Sequence, residues 1–350
     1  MLSCFFIKIR KELFLMSLRE DLLAFFEEHS EEYISGQTLA QSFGVSRNSV
    51  WKAVNKLKQD GYNISSVSNR GYKFYADNDV LSSDKIYGYM TEKAKQLKLV
   101  ILKTTDSTNN EAKRMTAQGL TENSLIIANE QTAGRGRLGR SFYSPNDKGI
   151  YMSFVYHTEL DITDAVSVTT AAAVAVVRAI VKNTDKRPQI KWVNDVYLDN
   201  RKICGILTEA VSDFESGTTH NIIIGIGINM MYSDFPDDIK DRAGVLNVKE
   251  LSRNKLIAAV ADEMMTLTDD LRNHSYIDDY RRYSMIIGKR IDFYKNNIKC
   301  TGTAKDIDEN GGLIVMLDNG SIETLTSGEI TIRLKAESEI AAQSSELNLE

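Results

Sequence analysis

The chain has 350 residues, of which 42% are hydrophobic and 26% are charged, values typical of a soluble globular protein with two or three domains. The formal net charge of −5 excludes a generic polyanion-binding protein, so any nucleic-acid site must be a local basic surface. Three cysteines and four histidines are scattered without disulfide or metal-ligand spacing. Their distribution predicts a cytoplasmic protein without a metal centre built from its own side chains.

Both ends of the chain differ in character from the rest. Residues 1–16 mix apolar and charged side chains, without an uncharged run long enough to span a membrane and without a small-residue cleavage site. We interpret them as an N-terminal extension before Met16, the alternative being an extra helix of the first domain. Residues 336–350 are small and polar, which predicts a flexible tail. No membrane partner is predicted.

Residues 17–80 have the pattern of three helices followed by a β-hairpin. The helices are predicted from "LREDLLAFFEEH", "SGQTLAQSFG" and "SRNSVWKAVNKLKQDG". The second helix begins near Ser35 or Gly36, and Ser46 caps the third. The segment "YNISSVSNRGYKFY" predicts two strands around an Asn-Arg-Gly turn. This order predicts a winged helix-turn-helix domain.

The third helix of this domain has two distinct faces. Val50, Ala53, Val54 and Leu57 recur at helical spacing and are expected to pack inward. The opposite face and the hairpin carry amide and cationic groups, which suit base edges and phosphates. The predicted DNA-binding residues are Gly36, Ser46, Arg47, Asn48, Trp51, Lys52, Asn55 and Arg70. The alternatives are a protein-interaction module and a simple solvated face.

Residues 81–285 alternate strand-like and helical runs. The strand candidates are "KLVILKTT", "SLIIANEQ", "GIYMSFVY", "QIKWVNDVYL", "CGILTEAV" and "NIIIGIGINM". The clearest helix is "AVSVTTAAAVAVVRAIVKN", and one or two further helices close the segment. Residues 286–335 have short alternating strands separated by "NN", "ENGG" and "DNG" turns, which predict a small β-barrel. The predicted fold class is therefore α+β, with an N-terminal winged helix-turn-helix domain, a central mixed α/β domain and a C-terminal β-barrel.

The segment "NEQTAGRGRLGRSFYSP" spells Gly-x-Gly-x-x-Gly at Gly134, Gly136 and Gly139. A dinucleotide-binding turn requires a helix directly after the glycines, but Pro145, a turn and a strand follow instead. The context therefore excludes a dinucleotide site, and no Walker A motif occurs in the chain. Glycines allow close backbone approach, and arginines offer planar donors for phosphate and carboxylate. This loop predicts a reaction between an acid and a nucleotide, the alternative being nonspecific binding of a nucleic-acid backbone.

Three other polar clusters are expected to share a pocket with this loop. "TTDSTNNEA" follows a strand and is typical of a helix N-terminus, which by itself needs no ligand. "KWVNDVYLDNRKICGILTE" places several polar groups at a strand-to-turn junction. "GIGINM" ends an apolar strand, and its glycines indicate close approach of a ligand or of a second backbone.

The order "DSTN", "EQTAGRGRLGRSFYSP", "KWVNDVYLDNRKICGILTE", "GIGINM" closely resembles the biotin–protein ligases. With the winged helix-turn-helix domain, the chain resembles their bifunctional class, which also represses the biotin operon. The resemblance runs from about Leu18 to Arg333. Two departures are Val193, where the family usually has proline, and Leu138, where some members have arginine. The resemblance implies a class II synthetase/SH2-like central sheet and an SH3-like C-terminal barrel.

The resemblance implies five domains or segments and two substrates. The expected boundaries are 1–16, 17–80, 81–285, 286–335 and 336–350 for extension, DNA-binding domain, catalytic domain, SH3-like barrel and tail. The residues implied in catalysis are Lys191, Arg137 and Asp195. The residues implied in biotin binding are Ser107, Thr108, Asn109, Gln131, Arg135, Gly136, Arg137, Lys191 and Gly205. The residues implied in ATP binding are Arg135, Arg137, Arg140, Lys191, Asn194 and Asn229, with Mg²⁺ accompanying ATP.

The family's activity sets the remaining expectations. The enzymes make biotinyl-5'-AMP and then transfer biotin to a lysine of the biotin carboxyl carrier protein of acetyl-CoA carboxylase. The bifunctional class forms a homodimer when it holds the adenylate and binds operator DNA. Two other readings remain: a lipoate ligase-like acyltransferase, and a DNA-binding biotin sensor without catalysis.

Overall fold

The computed structural model describes residues 17–75, 79–157, 165–212, 219–271, 273–295, 298–326, 328 and 330–332. The predicted N-terminal extension (1–16) and C-terminal tail (336–350) lie outside this part of the chain. The chain divides into two compact units, which meet in sequence between Val80 and Leu81.

The first unit consists of three helices and a small antiparallel sheet. Its elements in chain order are α1 (Leu18–Glu28), β1 (Tyr33–Ile34), α2 (Gly36–Phe43), α3 (Arg47–Gln59), β2 (Ile64–Val67) and β3 (Gly71–Phe74). The Ser35 hydroxyl accepts a hydrogen bond from Thr38 N, and the Ser46 hydroxyl accepts one from Ser49 N. The predicted caps therefore begin α2 and α3, because each hydroxyl satisfies a backbone donor that the helix leaves free.

Strand β1 was not predicted, because two residues carry no readable alternation. It pairs with β3, so that the sheet order is β1-β3-β2. Gly71 has a left-handed φ of 102°, and a Cβ there would lie 2.1 Å from the carbonyl oxygen of Ile34. Only glycine fits at this junction between the two strands.

The second unit is built on a seven-stranded sheet in the order β4-β5-β6-β10-β9-β8-β7. The strands are β4 (Lys98–Thr105), β5 (Ser124–Gln131), β6 (Gly149–His157), β7 (Gln189–Lys191), β8 (Asp195–Leu198), β9 (Arg201–Ser212) and β10 (Thr219–Asn229). Strands β4 and β5 are parallel, and all other neighbours are antiparallel. The helices are α4 (Ser83–Tyr89), α5 (Thr108–Ala117), α6 (Ala165–Asn183), α7 (Arg253–Asp270) and α8 (Ile277–Tyr283).

Helices cover both faces of this sheet. Ile126 and Ile223 pack with Ala112 of α5, whereas Ile127 and Ile224 belong to the larger core that contains α6 and α7. Alternate residues of each strand thus enter opposite cores, as the period of two requires. Helix α6 is long and apolar enough over 166–183 to cross a membrane, but 72% of that stretch is buried inside the protein, as in a core helix.

The C-terminal segment forms a five-stranded antiparallel sheet in the order β14-β13-β12-β11-β15. The strands are β11 (Arg290–Lys295), β12 (Ile298–Ile307), β13 (Leu313–Leu317), β14 (Ile322–Leu325) and β15 (Ile330–Ile332). Among the described residues no pairing joins β14 to β15, so the closed barrel stays a prediction. The Trp192 indole N–H donates to the carbonyl oxygen of Gly311 over 2.9 Å, which ties the β12–β13 turn to the segment between β7 and β8.

Candidate functional site

A cleft of about 390 Å³ opens on the central sheet of the second unit. Its walls include the N-terminus of α5, the arginine loop (residues 132–143), the β7–β8 turn, the facing parts of β9 and β10, the segment 235–243 and the start of β15. The cleft brings together every residue expected to bind biotin or ATP or to catalyse, namely Ser107, Thr108, Asn109, Gln131, Arg135, Gly136, Arg137, Arg140, Lys191, Asn194, Asp195, Gly205 and Asn229. Segments far apart in sequence, from Ser107 to Thr331, therefore meet in one cavity.

The N-terminus of α5 is capped by a side chain from strand β5. Ser107 occupies the N-cap position without a side-chain capping bond. Instead, Gln131 Oε1 at the end of β5 accepts hydrogen bonds from Thr108 N at 2.8 Å and from Thr108 Oγ1 at 3.1 Å. Gln131 Nε2 donates to Ser144 Oγ over 2.8 Å, which fixes the orientation of the amide. The expected local N-cap is thus replaced by a long-range one, and a polar cluster forms at one end of the cleft.

Asn109 extends this polar cluster across the sheet. Its Nδ2 donates to Glu209 Oε2 at 2.8 Å and to Leu207 O at 3.3 Å, and its Oδ1 accepts from Ser153 Oγ at 2.6 Å. A Cβ at Gly225 would lie 2.3 Å from that Oδ1. The close approach predicted at Gly225 is therefore made by the Asn109 amide rather than by a second backbone.

Gly205 and Gly227 are also covered by side chains. A Cβ at Gly205 would lie 3.2 Å from Lys202 Nζ, and one at Gly227 would lie 2.5 Å from the Phe142 ring. Phe142 comes from the arginine loop, so the glycines let that loop settle on the sheet.

The arginine loop folds back on itself. Gly136 N donates to Arg140 O, and Phe142 N donates to Gly134 O. A single 3-10 turn covers Arg137–Gly139, and no α-helix lies between it and β6, in agreement with the exclusion of a dinucleotide site. Arg137 Nη1 donates to Asn194 Oδ1 over 3.1 Å. This bond joins the loop to the β7–β8 turn, and both residues line the cleft.

Two lysines line the cleft, and sequence reasoning found only one. Lys191 lies at the end of β7, with its Nζ 5.7 Å from the centre of the Tyr197 ring. Lys202, on β9, was missed, yet its Nζ lies 2.7 Å from Asp195 Oδ1. The sequence signal that could have revealed Lys202 was the Asp-Asn turn within "YLDNRK". Both turn residues have a left-handed φ, and the tight turn pairs β9 with β8. The sequence prediction also missed Phe142 and Arg242, which line the cleft, and Ser153, which donates a hydrogen bond to Asn109.

The titratable groups around the cleft include two perturbed carboxylates. Burial would raise the pKa of Glu209, but hydrogen bonds from Lys113 and Asn109 and the nearby Arg135 charge outweigh it, so the pKa lies below its usual value. Hydrogen bonding to Arg114 holds the pKa of Asp106 far below its ordinary value. Burial raises the pKa of the Cys204 thiol well above its usual range, so Cys204 is not a nucleophile at neutral pH.

The predicted DNA-binding residues lie in the first unit. Val50, Val54 and Leu57 are fully buried as predicted, whereas Ala53, also predicted to pack inward, is half-buried against the same core. Trp51 is 54% exposed, and the Arg70 guanidinium lies 5.7 Å from the centre of the Tyr33 ring. The exposed members of the predicted set are Ser46, Arg47, Asn48, Trp51, Lys52 and Arg70, whereas Gly36 and Asn55 are half-buried.

Three family models match the chain. An HTH domain model matches residues 18–73, and the model of the biotin/lipoate A/B protein ligase family matches 101–229. The model of the biotin protein ligase C terminal domain matches 286–333. The helix-turn-helix domain and the ligase-type central domain predicted from the sequence are therefore confirmed.

Individual relatives give the same result. The bifunctional ligase/repressor BirA of Bacillus spizizenii is 32% identical over 327 residues, covering 90% of this chain and 99% of the relative. The protein of the same description from Escherichia coli is 26% identical, covering 86% of this chain and 94% of the relative. The structure of the biotin protein ligase from Aquifex aeolicus in complex with biotin and ATP aligns with a TM-score of 0.58 at 27% identity, over 67% of this chain and 98% of that chain. The resemblance seen in the sequence is confirmed: the chain belongs to the BirA family of bifunctional biotin–protein ligases and repressors.

Proposed function

We propose that the chain is an ATP-dependent biotin–protein ligase that makes biotinyl-5'-AMP and transfers biotin to a lysine of the biotin carboxyl carrier protein, and that it is also a biotin-responsive repressor. One observation carries the ligase proposal. A single cleft combines a neutral hydrogen-bonding end, formed by Thr108, Asn109 and Gln131, with a cationic end, formed by Arg137, Lys191 and Lys202. The first suits a ureido ring, and the second suits a carboxylate that meets a phosphate.

The cationic end explains the first step. A carboxylate oxygen of biotin attacks the α-phosphorus of ATP, and the bond from that phosphorus to the oxygen bridging to the β-phosphate breaks. Pyrophosphate leaves with the electron pair, and a mixed anhydride remains. Two anions must approach each other, so we assign Lys191, Lys202 and Arg137 to neutralising the charge that develops. Loss of one such donor is expected to lower the rate by about 10²–10³-fold.

The neutral end is assigned to the ureido ring. Ser107, Thr108, Asn109 and Gln131 offer hydroxyl and amide groups held in place by their own hydrogen bonds. The backbone of Arg135 and Gly136 borders the same space, and the valeryl chain would run over Gly205. Preorganised neutral donors and acceptors suit a ligand part that carries no charge.

ATP is assigned to the part of the cleft bordered by Asn194, Asn229 and the remaining arginines. Arg135 and Arg140 are exposed on the arginine loop, where they can reach phosphates. The described residues contain no cluster of three or more His, Cys, Asp or Glu side chains able to hold a metal. Mg²⁺ is therefore proposed to arrive on the triphosphate, since this ion keeps several waters and binds through substrate phosphates.

In the second step the carrier lysine attacks the acyl carbon, and AMP leaves with the electron pair of the broken acyl–phosphate bond. Asp195 is assigned to orienting the incoming amine or accepting its proton. Its carboxylate pairs with Lys202 in the structure, so both groups are held at the reacting end of the cleft. Closure of the arginine loop would exclude water from the adenylate.

The remaining proposals concern partners and location. The exposed face of α3 and the hairpin are assigned to operator DNA, and the adenylate-bound protein to a homodimer whose symmetry matches two half-sites. The C-terminal sheet is proposed to close as an SH3-like barrel and to support ATP or carrier binding. The protein is proposed to work in the cytoplasm.

A radiolabelled assay tests the ligase. The wild-type chain is incubated with Mg-ATP and labelled biotin, labelled lipoate or neither, and adenylate formation and carrier labelling are measured. We expect biotin-dependent products and no lipoate products. Lys202→Gln and Lys191→Gln should each reduce the rate of adenylate formation, while Lys98→Gln, a surface change outside the cleft, should not. Lipoate products, or full activity in both cleft variants, would overturn the assignment.

A binding measurement tests the repressor. Affinity for operator-type DNA is measured with neither ligand, with each alone and with both. We expect tight binding only when biotin and ATP are both present. Equal DNA affinity with and without the two ligands would contradict a biotin-responsive repressor and would indicate a protein that binds DNA constitutively.

A further inference from the structure

Glu209 on β9 is a carboxylate that lies next to the cleft, in contact with the lining residues Asn109 and Arg135, and the proposed reaction does not use it. Its side chain is 19% exposed and touches three groups of different origin. Asn109 Nδ2 donates to Oε2 at 2.8 Å, and Lys113 Nζ lies 2.7 Å from Oε1. Arg135 Nη1 lies 3.8 Å from Oε1. The residue therefore stands between the neutral end of the cleft and the arginine loop.

The contact with Asn109 decides how that amide is turned. An amide can be flipped unless its neighbours distinguish oxygen from nitrogen. Glu209, as a carboxylate, only accepts, so Asn109 must present its NH₂ group to it. Its Oδ1 is then directed to Ser153 Oγ, which also lies 2.7 Å from Thr108 Oγ1. The Glu209 carboxylate, together with the Leu207 carbonyl oxygen that accepts from the same NH₂ group at 3.3 Å, thus sets the donor and acceptor pattern of a chain of three polar residues.

The contact with Arg135 reaches the arginine loop. Arg135 is 47% exposed, and its Nη1 also donates to Asn110 Oδ1 over 3.1 Å. Both partners lie outside the loop, on β9 and on α5. A half-buried carboxylate attracts such a cation more strongly than an exposed one, because solvent screens it less. The position of the loop over the cleft is thus coupled to the same carboxylate that orients Asn109.

We propose that Glu209 is a positioning residue that couples the order of the arginine loop to the hydrogen-bonding pattern of the biotin pocket. This rests on the proposed ligase function. It predicts that removal of the charge loosens biotin binding and frees the loop at the same time. ATP binding should change less than biotin binding, since the nearer contacts of Glu209, at 2.7–2.8 Å, go to Asn109 and Lys113, whereas Arg135, which is assigned to ATP, lies 3.8 Å away.

The test compares Glu209→Gln with Glu263→Gln. Glu263 is a matched control, because it is also buried between one lysine and one arginine, Lys182 and Arg178, but lies between α6 and α7 away from the cleft. The readouts are KM for biotin, KM for ATP and kcat in adenylate formation, and the rate of tryptic cleavage after Arg135 in the ligand-free protein. The wild type is measured first, so that absence of any activity, which would refute the ligase, is distinguished from failure of this proposal.

We expect Glu209→Gln to raise KM for biotin by about tenfold, the order for one charged hydrogen bond, and to speed cleavage after Arg135 several-fold. KM for ATP should rise by less than KM for biotin, and Glu263→Gln should change neither biotin KM nor cleavage. An unchanged biotin KM, or cleavage no faster than in Glu263→Gln, would overturn the proposal. If Glu209→Gln does not fold, Glu209→Asp decides: the carboxylate is withdrawn from Asn109 and Arg135 by one methylene group, so biotin KM should shift in the same direction, and no shift would be equally contrary.

Discussion

Gly225→Ala is the most direct test of the proposed biotin pocket, because it adds a single methyl group to a residue that lines the cleft. The new Cβ would lie 2.3 Å from Asn109 Oδ1 and 2.9 Å from its Cγ. The amide must move by about 1 Å to reach an ordinary contact, which breaks its charged hydrogen bond to Glu209. A hydrogen bond to a charged group contributes about 1.5–3 kcal/mol, so the affinity for biotin should fall by about 10–150-fold.

Isothermal titration of biotin into the ligand-free variant measures this loss. Gly88→Ala is the matched control, since Gly88 lies in α4 with nothing within 4 Å of a built Cβ. That change should leave biotin affinity unaltered and stabilise the protein by about 0.5–1 kcal/mol. If folded Gly225→Ala binds biotin within twofold of wild type, Asn109 does not shape the pocket as described.

Three further changes probe other parts of the chain. Arg137→Gln should slow adenylate formation by about 10²–10³-fold, measured by biotin-dependent exchange of pyrophosphate into ATP, and a loss below threefold would contradict its assignment. Ser46→Ala removes the cap of α3 and should destabilise the first unit by about 1 kcal/mol in urea unfolding, with weaker operator binding. Asp106→Asn should lower Tm at pH 7, because the pKa of Asp106 is lower in the folded protein than its unfolded value of about 3.9, so the ionised carboxylate stabilises the fold. This stabilisation is lost progressively as the pH falls below about 4. The Tm difference between wild type and variant should therefore shrink by pH 3. A Tm difference independent of pH would refute the role of the Arg114 pair.

The local elements were predictable from the sequence because their signals lie within a few residues. Strands β4 and β5 and helix α6 have the bounds of the quoted runs "KLVILKTT", "SLIIANEQ" and "AVSVTTAAAVAVVRAIVKN". Alternation and helical spacing act over short windows, and the caps Ser35 and Ser46 bond to donors three residues away. Rejection of a dinucleotide site was equally local, since it needed only the absence of a helix after Gly139.

The contacts that make a site were decided only by the tertiary structure. Gln131 caps a helix that begins 23 residues earlier, and Glu209 turns an amide 100 residues away. Lys202 escaped notice because its partner Asp195 meets it only through the pairing of β8 with β9. The glycine–arginine loop and the order of the motifs predicted a reaction between an acid and a nucleotide and the family to which the chain belongs. Which oxygen faces which nitrogen depends on strand register and packing, which are set by interactions between segments far apart in the chain.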